Sequence, residues 1–419
     1  MDYNNLTTDE MIELFNMACA DKEHGYKTVG MLLDKGFNIN QPLGADLNTP
    51  IFYSLLIDNA KIFSLLYDNN ANLNLQNMHG TTPLMVSVWR KEDDTFYDIR
   101  IIRNLLDKGA DPNAATNNSR TTALHSISIA GNNPFVSLLL TKKYLANINQ
   151  QNINGSTALM LAAEFEHLDT VKILLENGAD PNIKNINGST ALNLAVEFEL
   201  LDIVKILLEN GADPNIPDVH KVPAIFRAVE ANLYEIAKEL LKNNANPNVW
   251  DIHGYSPICM AVIQNPNTNI LKLLLDHGAD INDKLKLPEG THTPLHQAVW
   301  QLNAVFIKYL LEKGADYTIK NFQELNPLQL LEKKKEDEEL AKLNMERTIT
   351  EHDNELLKIN DCINTFREFI SKSGAGVGAG VGAGVGGTRR RRKTRRQRKR
   401  KTTKNRRKKG DRTRGKKRK

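Results

Sequence analysis

Histidine is the side chain of this sequence whose type and spacing first suggest metal chemistry. His220 and His253 lie 33 residues apart, which would put two imidazoles at equivalent positions of a repeating structure. Neighbouring packed helices are about 8 to 10 Å apart, however, which is too far for equivalent side chains to share one ion. Both histidines also lie among turn-forming residues. We therefore predict no metal site and interpret both as turn residues.

Cysteine and the usual catalytic motifs point the same way. The three cysteines, Cys19, Cys259 and Cys362, are widely spaced, which favours neither a disulfide framework nor a zinc site. The sequence has no phosphate-binding glycine loop, no nucleophile elbow and no metal-ligand motif. We predict a protein that is not an enzyme, with no cofactor and no small-molecule substrate.

Lysine and arginine are concentrated in one segment. Residues 388–419, here called the basic segment, contain 22 Lys or Arg and a single acid, Asp411. Residues 1–387 contain 33 basic and 49 acidic residues. The net charge of +5 therefore combines a basic segment of +21 with a remainder of −16. Charge repulsion predicts that the basic segment is disordered when free.

Dense Lys and Arg can bind phosphate groups with release of counterions, and import receptors recognise the same density. No aromatic residue lies between residues 371 and 419, so we expect no base stacking and no sequence-specific recognition. The basic segment is predicted either to bind nucleic acid non-specifically or to direct nuclear or nucleolar import; a merely solvated segment is the third interpretation. The candidate residues are Arg389, Arg390, Arg391, Arg392, Lys393, Arg395, Arg396, Arg398, Lys399, Arg400, Lys401, Arg406, Arg407, Lys408 and Lys409.

Tandem repeats make up most of the remaining chain. Residues 154–186 and 187–219 follow one another without a gap and differ at seven of 33 positions. The start of this unit recurs as Thr82-Pro83-Leu84 and Thr293-Pro294-Leu295, and its end recurs as Gly278-Ala279-Asp280. A tandem period of this length predicts a stack of like units whose function lies on a continuous surface.

This unit closely resembles the ankyrin repeat, whose period is about 33 residues. Residues 293–298 match the T-P-L-H-x-A pattern of that family letter for letter. The resemblance implies an all-α repeat solenoid of helix-turn-helix units with β-hairpin fingers. It also implies a protein-binding surface made of the finger tips and the exposed side of each first helix. The candidate binding residues are Met78, His79, Asn154, Met160, Asn187, Asn193, His220, Phe226, Trp250, His253, His296 and Phe322.

Residue chemistry within one unit supports the same structure. Thr157 is placed to cap the first helix with its hydroxyl group, and Gly178 is placed to end the second helix in the left-handed conformation. The Asn154-Gly155 dipeptide predicts a tight hairpin turn. Glu166 and Glu199 occupy the turn between the two helices, where the family usually has glycine, so we expect strained or reshaped turns there.

Two kinds of side chain are predicted to serve packing more than binding. His125 and His296 are expected to form hydrogen bonds between repeats. Trp89 and Trp300 occupy helical positions and are expected to pack, whereas Trp250, just before a finger, is the better interface candidate.

The chain divides into four predicted segments. Residues 1–332 form the array of about nine to ten repeats with a divergent first unit as a cap, and residues 333–372 form a charged helix. Residues 374–387 form a flexible Gly/Ala/Val linker before the basic segment at 388–419. Wider spacing between units predicts a longer loop at 90–98 and a bulge at 284–290.

The charged helix carries an apolar seam from Met345 to Ile370, with His352 at its one polar position. One interpretation is a helix packed on the exposed end of the last repeat, and the other is a short coiled coil that makes a dimer. The seam is under four heptads long, so we favour the first interpretation and a monomer.

We predict a protein-binding scaffold with an unidentified protein partner and a basic segment that contacts nucleic acid or an import receptor. The alternative is a structural or packaging component that links nucleic acid to a protein assembly. The sequence contains no signal peptide and no apolar run of membrane length, which predicts an intracellular protein, in the nucleus or nucleolus if the basic segment directs import. The bias toward Asn, Ile and Lys with a terminal Arg/Lys-rich segment resembles the ankyrin proteins of amoebal giant viruses, which would place the chain in a host cell or virion.

Overall fold

The computed structural model describes residues 6–89, 98–264, 268–285, 292–343 and 349–373. In these ranges, nine helix pairs are followed by two longer helices. The pairs are α1 (Thr8–Ala20) and α2 (Gly25–Asp34), α3 (Pro50–Leu56) and α4 (Ala60–Asp68), α5 (Pro83–Ser87) and α6 (Ile99–Asp107), α7 (Ala123–Ala130) and α8 (Asn133–Leu139), α9 (Ala158–Glu164) and α10 (Leu168–Glu176), α11 (Ala191–Glu197) and α12 (Leu201–Glu209), α13 (Ala224–Glu230) and α14 (Tyr234–Lys242), α15 (Pro257–Gln264) and α16 (Asn269–Asp276), and α17 (Pro294–Trp300) and α18 (Ala304–Glu312); the longer helices are α19 (Pro327–Leu343) and α20 (Ile349–Lys372).

Threonine begins most of the first helices, as predicted. The Thr157 hydroxyl accepts a hydrogen bond from the Met160 amide at 3.3 Å. At Thr293 the arrangement is reciprocal, because the His296 amide donates to the threonine hydroxyl and His296 Nδ1 accepts from the Thr293 amide. Each cap satisfies backbone donors that a helix of only seven or eight residues leaves without an internal partner.

The second helices end as the sequence predicted. Gly178 follows α10 with φ +87°, a conformation that costs glycine little and other residues more. Ala179 then donates its amide to the Leu174 carbonyl at 3.0 Å, which satisfies one of the last carbonyls of the helix. Because this ending recurs after most second helices, the chain leaves each pair in the same direction.

The turns between paired helices are strained rather than reshaped. Glu166 and Glu199 both have φ +61°, close to the φ of +67° at Gly131 in the equivalent turn. The left-handed conformation costs a non-glycine residue about 1 to 2 kcal/mol. The expected strain is therefore confirmed, and the turn geometry is the same whether or not glycine is present.

The fingers are turns rather than two-stranded ladders. Among the described residues, the only β-bridge joins Leu43 and Asn48, and no strand is formed. In the finger at 152–156, Gly155 donates its amide to the Asn152 carbonyl at 2.9 Å. Gly155 has φ +71°, whereas the two central residues of the turn, Ile153 and Asn154, do not have a positive φ. This is a type I turn followed by a left-handed glycine, so the Asn-Gly pair occupies the end of the turn and not its centre.

Stacking of units forms the core. The first helix of each unit packs on the first helix of the next, from α3 through α19, and most second helices pack on the next second helix in the same way. Small side chains allow this approach: Ala162 and Ala163 of α9 are fully buried between neighbours, and Val171 and Leu174 of α10 complete the same layer. No unit buries both of its faces alone, so the array is stabilised by its neighbours.

Asparagine side chains join the loops that follow the second helices. Asn182 Oδ1 accepts from the Asp213 amide at 2.8 Å, and its Nδ2 donates to the Gly211 carbonyl at 3.0 Å. Asn215 and Asn248 make the same two bonds one and two units later. The repeated asparagine of the G-A-D-P-N ending is therefore an inter-repeat bridge, a role that the sequence analysis did not assign.

The two longer helices follow the last pair. The chain divides into residues 1–362 and residues 363–419, and the second of these units is described only at 363–373. The predicted start of the charged helix, residue 333, lies inside α19. Within the first unit, His352 of α20 is buried and its Nδ1 lies 2.6 Å from Glu338 Oε1 of α19.

Several predicted features lie outside the described residues. These are most of the loop at 90–98, most of the bulge at 284–290, the seam residue Met345, the linker at 374–387 and the basic segment at 388–419.

Candidate protein-binding surface

One apolar side chain projects from the tip of most fingers. These residues share the second position of the finger turn, and each is between 51% and 65% exposed. We call them the fingertip row: Met78, Ile153, Ile186, Val219, Ile252 and Phe322. Single exposed apolar residues are ordinary, but four of these six, Ile153, Ile186, Val219 and Ile252, come from consecutive units, and contiguous exposed apolar surface is a feature of interaction sites.

Side chain to backbone bonds inside each finger hold the fingertip outward. Asn152 Oδ1 accepts from the Asn154 amide at 2.9 Å and from the Ser156 amide at 3.0 Å. Asp218 makes the equivalent bonds to the amides of His220 and Val222. An Asn or Asp at the first finger position thus uses its side chain to close the turn, which leaves the next two residues to face solvent.

Backbone hydrogen bonds also connect neighbouring fingers. The Ile186 amide donates to the Asn154 carbonyl at 3.0 Å, and the Val219 amide donates to the Asn187 carbonyl at 3.0 Å. Near the start of the array, Met78 donates to Asp46 at 2.8 Å. These bonds fix the neighbouring fingers relative to one another from Asp46 to Val219.

The structure exposes most of the finger residues predicted from the sequence. Besides Met78 and Phe322, the exposed ones are His79, Asn154, Asn187, His220 and His253. His79 Nε2 lies 3.6 Å from Asp46 Oδ1 of the preceding finger, an exposed pair that contributes little to stability.

The predicted first-helix positions are mostly wrong as surface positions. Met160 is 1% exposed, Phe226 is 2% exposed and His296 is fully buried, whereas Asn193 is half-buried. The side chain at this position turns back toward the cap of its own helix: Asn193 Oδ1 accepts from the Thr190 amide at 3.0 Å. Met160, Phe226 and His296 are consequently unavailable to a partner, and Asn193 is only partly available.

At the next first-helix position the exposure differs between units: Leu161 and Met260 are each 8% exposed, whereas Arg227 is exposed. The Arg227 guanidinium lies 3.5 Å from Asp218 of the finger and 3.3 Å from Glu230 of its own helix. Leu194 and Gln297 occupy the same position in their units and are half-buried. This position is the x of the T-P-L-H-x-A pattern, and it was not among the predicted binding residues.

The buried histidines bond between units, as predicted. His125 Nε2 lies 3.1 Å from the Ser156 carbonyl, and His296 Nε2 lies 3.2 Å from the Leu325 carbonyl. Since a carbonyl only accepts, Nε2 carries the proton and Nδ1 accepts from the threonine cap. Burial lowers the pKa of His125 and lowers the pKa of His296 to about 4, against the raising effect of these carbonyl bonds. Both rings are therefore neutral at pH 7.

The tryptophans differ from expectation in their exposure. Trp300, predicted to pack, is 58% exposed, and Lys334 Nζ lies 4.8 Å from its ring centroid. Trp250, predicted as the better interface residue, is half-buried beside Asp283. Burial raises the pKa of that carboxyl group, although the polar side chains of Ser256 and Trp250 beside it lower the pKa. Part of the Trp250 side chain is therefore engaged within the array.

The described ranges contain neither a cluster of metal ligands nor a helix that could span a membrane. No three His, Cys, Asp or Glu side chains there are grouped so that they could hold a metal ion. None of the described helices combines the length and the apolar character needed to cross a bilayer.

Comparison with known families and proteins identifies the repeat. The family model described as ankyrin repeats (3 copies) matches residues 95–185 and 224–321, and the model described as ankyrin repeat matches residues 187–219. Ankyrin repeat protein L371 of Acanthamoeba polyphaga mimivirus is 27% identical over 199 residues, which cover 44% of this chain and 24% of that protein.

Two further relatives extend this comparison. Ankyrin repeat protein L86 of the same virus is 30% identical over 149 residues, covering 31% of this chain and 24% of that protein. The ankyrin repeat and KH domain-containing protein mask-1 of Caenorhabditis elegans is 32% identical over 137 residues, covering 32% of this chain and 5% of that protein. The matched regions thus span a quarter or less of each of these relatives.

Among solved structures, the ankyrin repeat domain of Bcl-3 aligns with a TM-score of 0.47 and 25% identity, covering 55% of this chain and 99% of that domain. The matched family models together span more than half of the chain, and the helix pairs repeat at the ankyrin period. Ankyrin repeats are protein-interaction scaffolds and are generally not enzymes. The chain belongs to the ankyrin repeat family.

Proposed function

We propose that this chain is a non-enzymatic scaffold that binds a protein partner along its fingertip row and uses its basic segment to contact nucleic acid or an import receptor. Protein binding is supported by one observation: exposed apolar side chains stand at the same finger position in residues 78, 153, 186, 219, 252 and 322. The exposed residues His79, Asn154, Asn187, His220 and His253 would supply polar contacts beside them.

The fingertip row suits binding because most of it is fixed in advance. Asx turns close each finger, and backbone bonds join the fingers from Asp46 to Val219, so little conformational entropy is lost on association. The partner surface should be apolar along its length, because six fingertips carry exposed apolar side chains, four of them 33 residues apart, and the flanking residues are mostly asparagine and histidine.

Proximity labelling with the full chain in cells tests this half. The test variant carries Ile153→Asp, Ile186→Asp and Ile252→Asp, which put charge on three exposed fingertips. We expect it to lose the partners that the unchanged chain labels, since burying an unpaired carboxylate at each contact opposes binding. The matched control carries Leu145→Asp, Val305→Asp and Leu357→Asp, three equally exposed apolar positions outside the row, and should keep them. Identical partner sets for the two variants would refute the fingertip surface.

The second half rests on charge. The basic segment has a charge of +21 and the rest of the chain −16, so nucleic acid is expected to contact the basic segment rather than the array. Proximity labelling with a chain lacking residues 388–419 reports the compartment: if the segment directs import, nuclear and nucleolar neighbours disappear on deletion. Unchanged neighbours would refute the import role.

A packaging component is the second candidate. The charge division and the similarity to two mimivirus ankyrin repeat proteins favour it. In that role many copies should coat one nucleic acid molecule, and sedimentation of the full chain with long DNA should give a single fast species that saturates at a fixed protein-to-nucleotide ratio. Independent binding of a few copies per molecule would count against packaging.

A further inference from the structure

A cleft lined by aromatic side chains lies at the end of the array, between α17 and the last finger. Tyr255, His292, Trp300 and Phe322 form its walls, and its volume is about 250 Å³. Trp300 is 58% exposed and Phe322 is 52% exposed, so both rings present free surface. The Lys334 ammonium group donates to the Trp300 carbonyl at 3.0 Å and lies beside the indole ring, which helps to hold that residue in place.

The cleft continues along α19. A second cleft, of about 380 Å³, shares Trp300, Gln323 and Leu330 with the first and is lined farther along by Lys333, Lys334 and Asp337. The two therefore form one groove on either side of Trp300, which we call the aromatic groove. A groove of this form suits an extended chain better than a compact small molecule.

One buried hydrogen-bond donor of a residue that lines the aromatic groove, Asn321 Nδ2, has no partner among the described residues. Asn321 is 2% exposed, and its Oδ1 accepts from the amides of Gln323 at 2.9 Å and Leu325 at 3.1 Å. Its Nδ2 makes no hydrogen bond among the described residues. In the equivalent finger position Asn77 Nδ2 donates to Asn48 Oδ1 at 3.0 Å. A buried donor without a partner is costly, so Asn321 marks a place where a bound group would supply an acceptor.

The conformation of the occupant follows from that donor. A peptide that adds a strand needs a sheet edge, and the described part of the chain contains no sheet. In a bound helix only the last four carbonyl groups lack a partner within the helix, so most of its length offers no free acceptor. A polyproline II segment has no internal hydrogen bonds, so its carbonyl groups are free to accept, and its apolar rings pack on aromatic side chains.

We propose that the aromatic groove binds a proline-rich, extended segment of a protein partner, with Asn321 Nδ2 donating to a backbone carbonyl of that segment and Trp300 and Phe322 packing against its prolines. This assignment rests on the proposed scaffold function and adds to the fingertip row a second site with its own chemistry.

Fluorescein-labelled decaproline is the probe, titrated into the full chain and followed by fluorescence anisotropy. We expect saturable binding of one peptide per chain and no binding of a Gly/Ser decapeptide with the same label. Asn321→Asp keeps the Oδ1 acceptor that closes the finger and removes the donor; Asp218 and Asp251 occupy this position in other fingers, so the turn tolerates aspartate. The affinity of this variant should fall at least about tenfold, as should that of Trp300→Ala.

Asn185→Asp is the matched control, because it makes the same change in a finger two units before that of Tyr255 and should leave the affinity within about twofold. No saturable decaproline binding, or equal affinities for the unchanged chain and Asn321→Asp, would overturn the proposal. If decaproline fails to bind while the charged fingertip variant still loses its labelled partners, the aromatic groove is refuted and the scaffold function stands. If decaproline binds and the fingertip variant keeps its partners, the fingertip row is refuted instead.

Discussion

His296 links two units through an imidazole ring that the fold keeps neutral, with one proton on Nε2. Nδ1 must accept from Thr293 and Nε2–H must donate to Leu325, so the ring needs one proton and not two. Burial and the nearby His292 both lower the pKa of His296, to about 4. His125 occupies the equivalent position five units earlier and has its pKa lowered for the same main reason, burial. The histidine of the repeat motif is therefore a structural group in this chain.

Acidification should destabilise the array through His296. Its pKa is about 4 in the folded chain and near 6.5 when unfolded, so its stabilising effect is complete above pH 6.5 and is lost as the pH falls toward 4. The loss approaches about 3 kcal/mol below pH 4. Urea titrations at pH 7 and pH 4 measure this loss, and His296→Gln is the control. Glutamine suits the position because, one unit later, Gln329 Oε1 accepts from the amide of the cap residue Asn326, as His296 Nδ1 does from Thr293. Equal pH dependence in the two proteins would contradict this assignment.

The helices and their ends were predictable from the sequence because their causes are local. Thr157 caps its helix by a bond to the amide three residues later, and Gly178 adopts a positive φ in the turn that directly follows its helix. The burial of Met160 was not predictable in the same way. Its side chain could face the surface or the neighbouring unit, and a shift of one position around a helix of seven residues decides which.

The asparagine bridges and the aromatic groove depend on contacts between units. Asn215 bonds Asn244 and Asn246 at about one repeat's separation, and nothing in a single repeat shows that partner. The groove likewise needs Tyr255, Trp300 and Phe322 from three different units. The period predicted that units stack, but not which side chains would meet across the junction.

The turns between paired helices offer a direct test of strain. Glu166→Gly and Glu199→Gly each remove a side chain from a backbone with φ +61°. Each also removes a negative charge that lies between the C-terminus of a first helix and the N-terminus of a second, where the two helix dipoles act on it in opposite directions. After allowing for the greater unfolded-state entropy of glycine, each change should raise the free energy of unfolding by about 0.5 to 1 kcal/mol, measured by urea denaturation.

Two further substitutions serve as controls for this prediction. Glu164→Gly alters the same residue type inside α9 and should lower the free energy of unfolding by about 0.5 to 1 kcal/mol. Gly131→Ala should also be destabilising, because a Cβ there would lie 2.5 Å from the His167 ring. Destabilisation by Glu166→Gly would show that the carboxylate makes a compensating interaction.

The chain as a whole joins two regions of opposite charge. Units with almost identical sequences at 154–186 and 187–219 show that the array can lengthen by duplication, since each unit mainly contacts its neighbours. The acidic balance of residues 1–387 makes the array a poor ligand for a polyanion. Protein binding and nucleic acid binding are thus expected to be separable by deletion.

The salt dependence of nucleic acid binding measures that separation. The full chain should bind a 30-nucleotide poly(dT) with an affinity that falls steeply between about 50 and 200 mM salt, because each phosphate neutralised contributes roughly −0.7 to the slope for a single strand. A chain ending at residue 387 should bind at least about a hundredfold more weakly, with a slope near zero. The control is a full chain with residues 388–419 in scrambled order, which keeps the charge of +21 and should behave like the original. Equal affinity and slope for the full and truncated chains would place binding in the array, and a scrambled segment that failed to bind would show that the order of the residues matters and not only their charge.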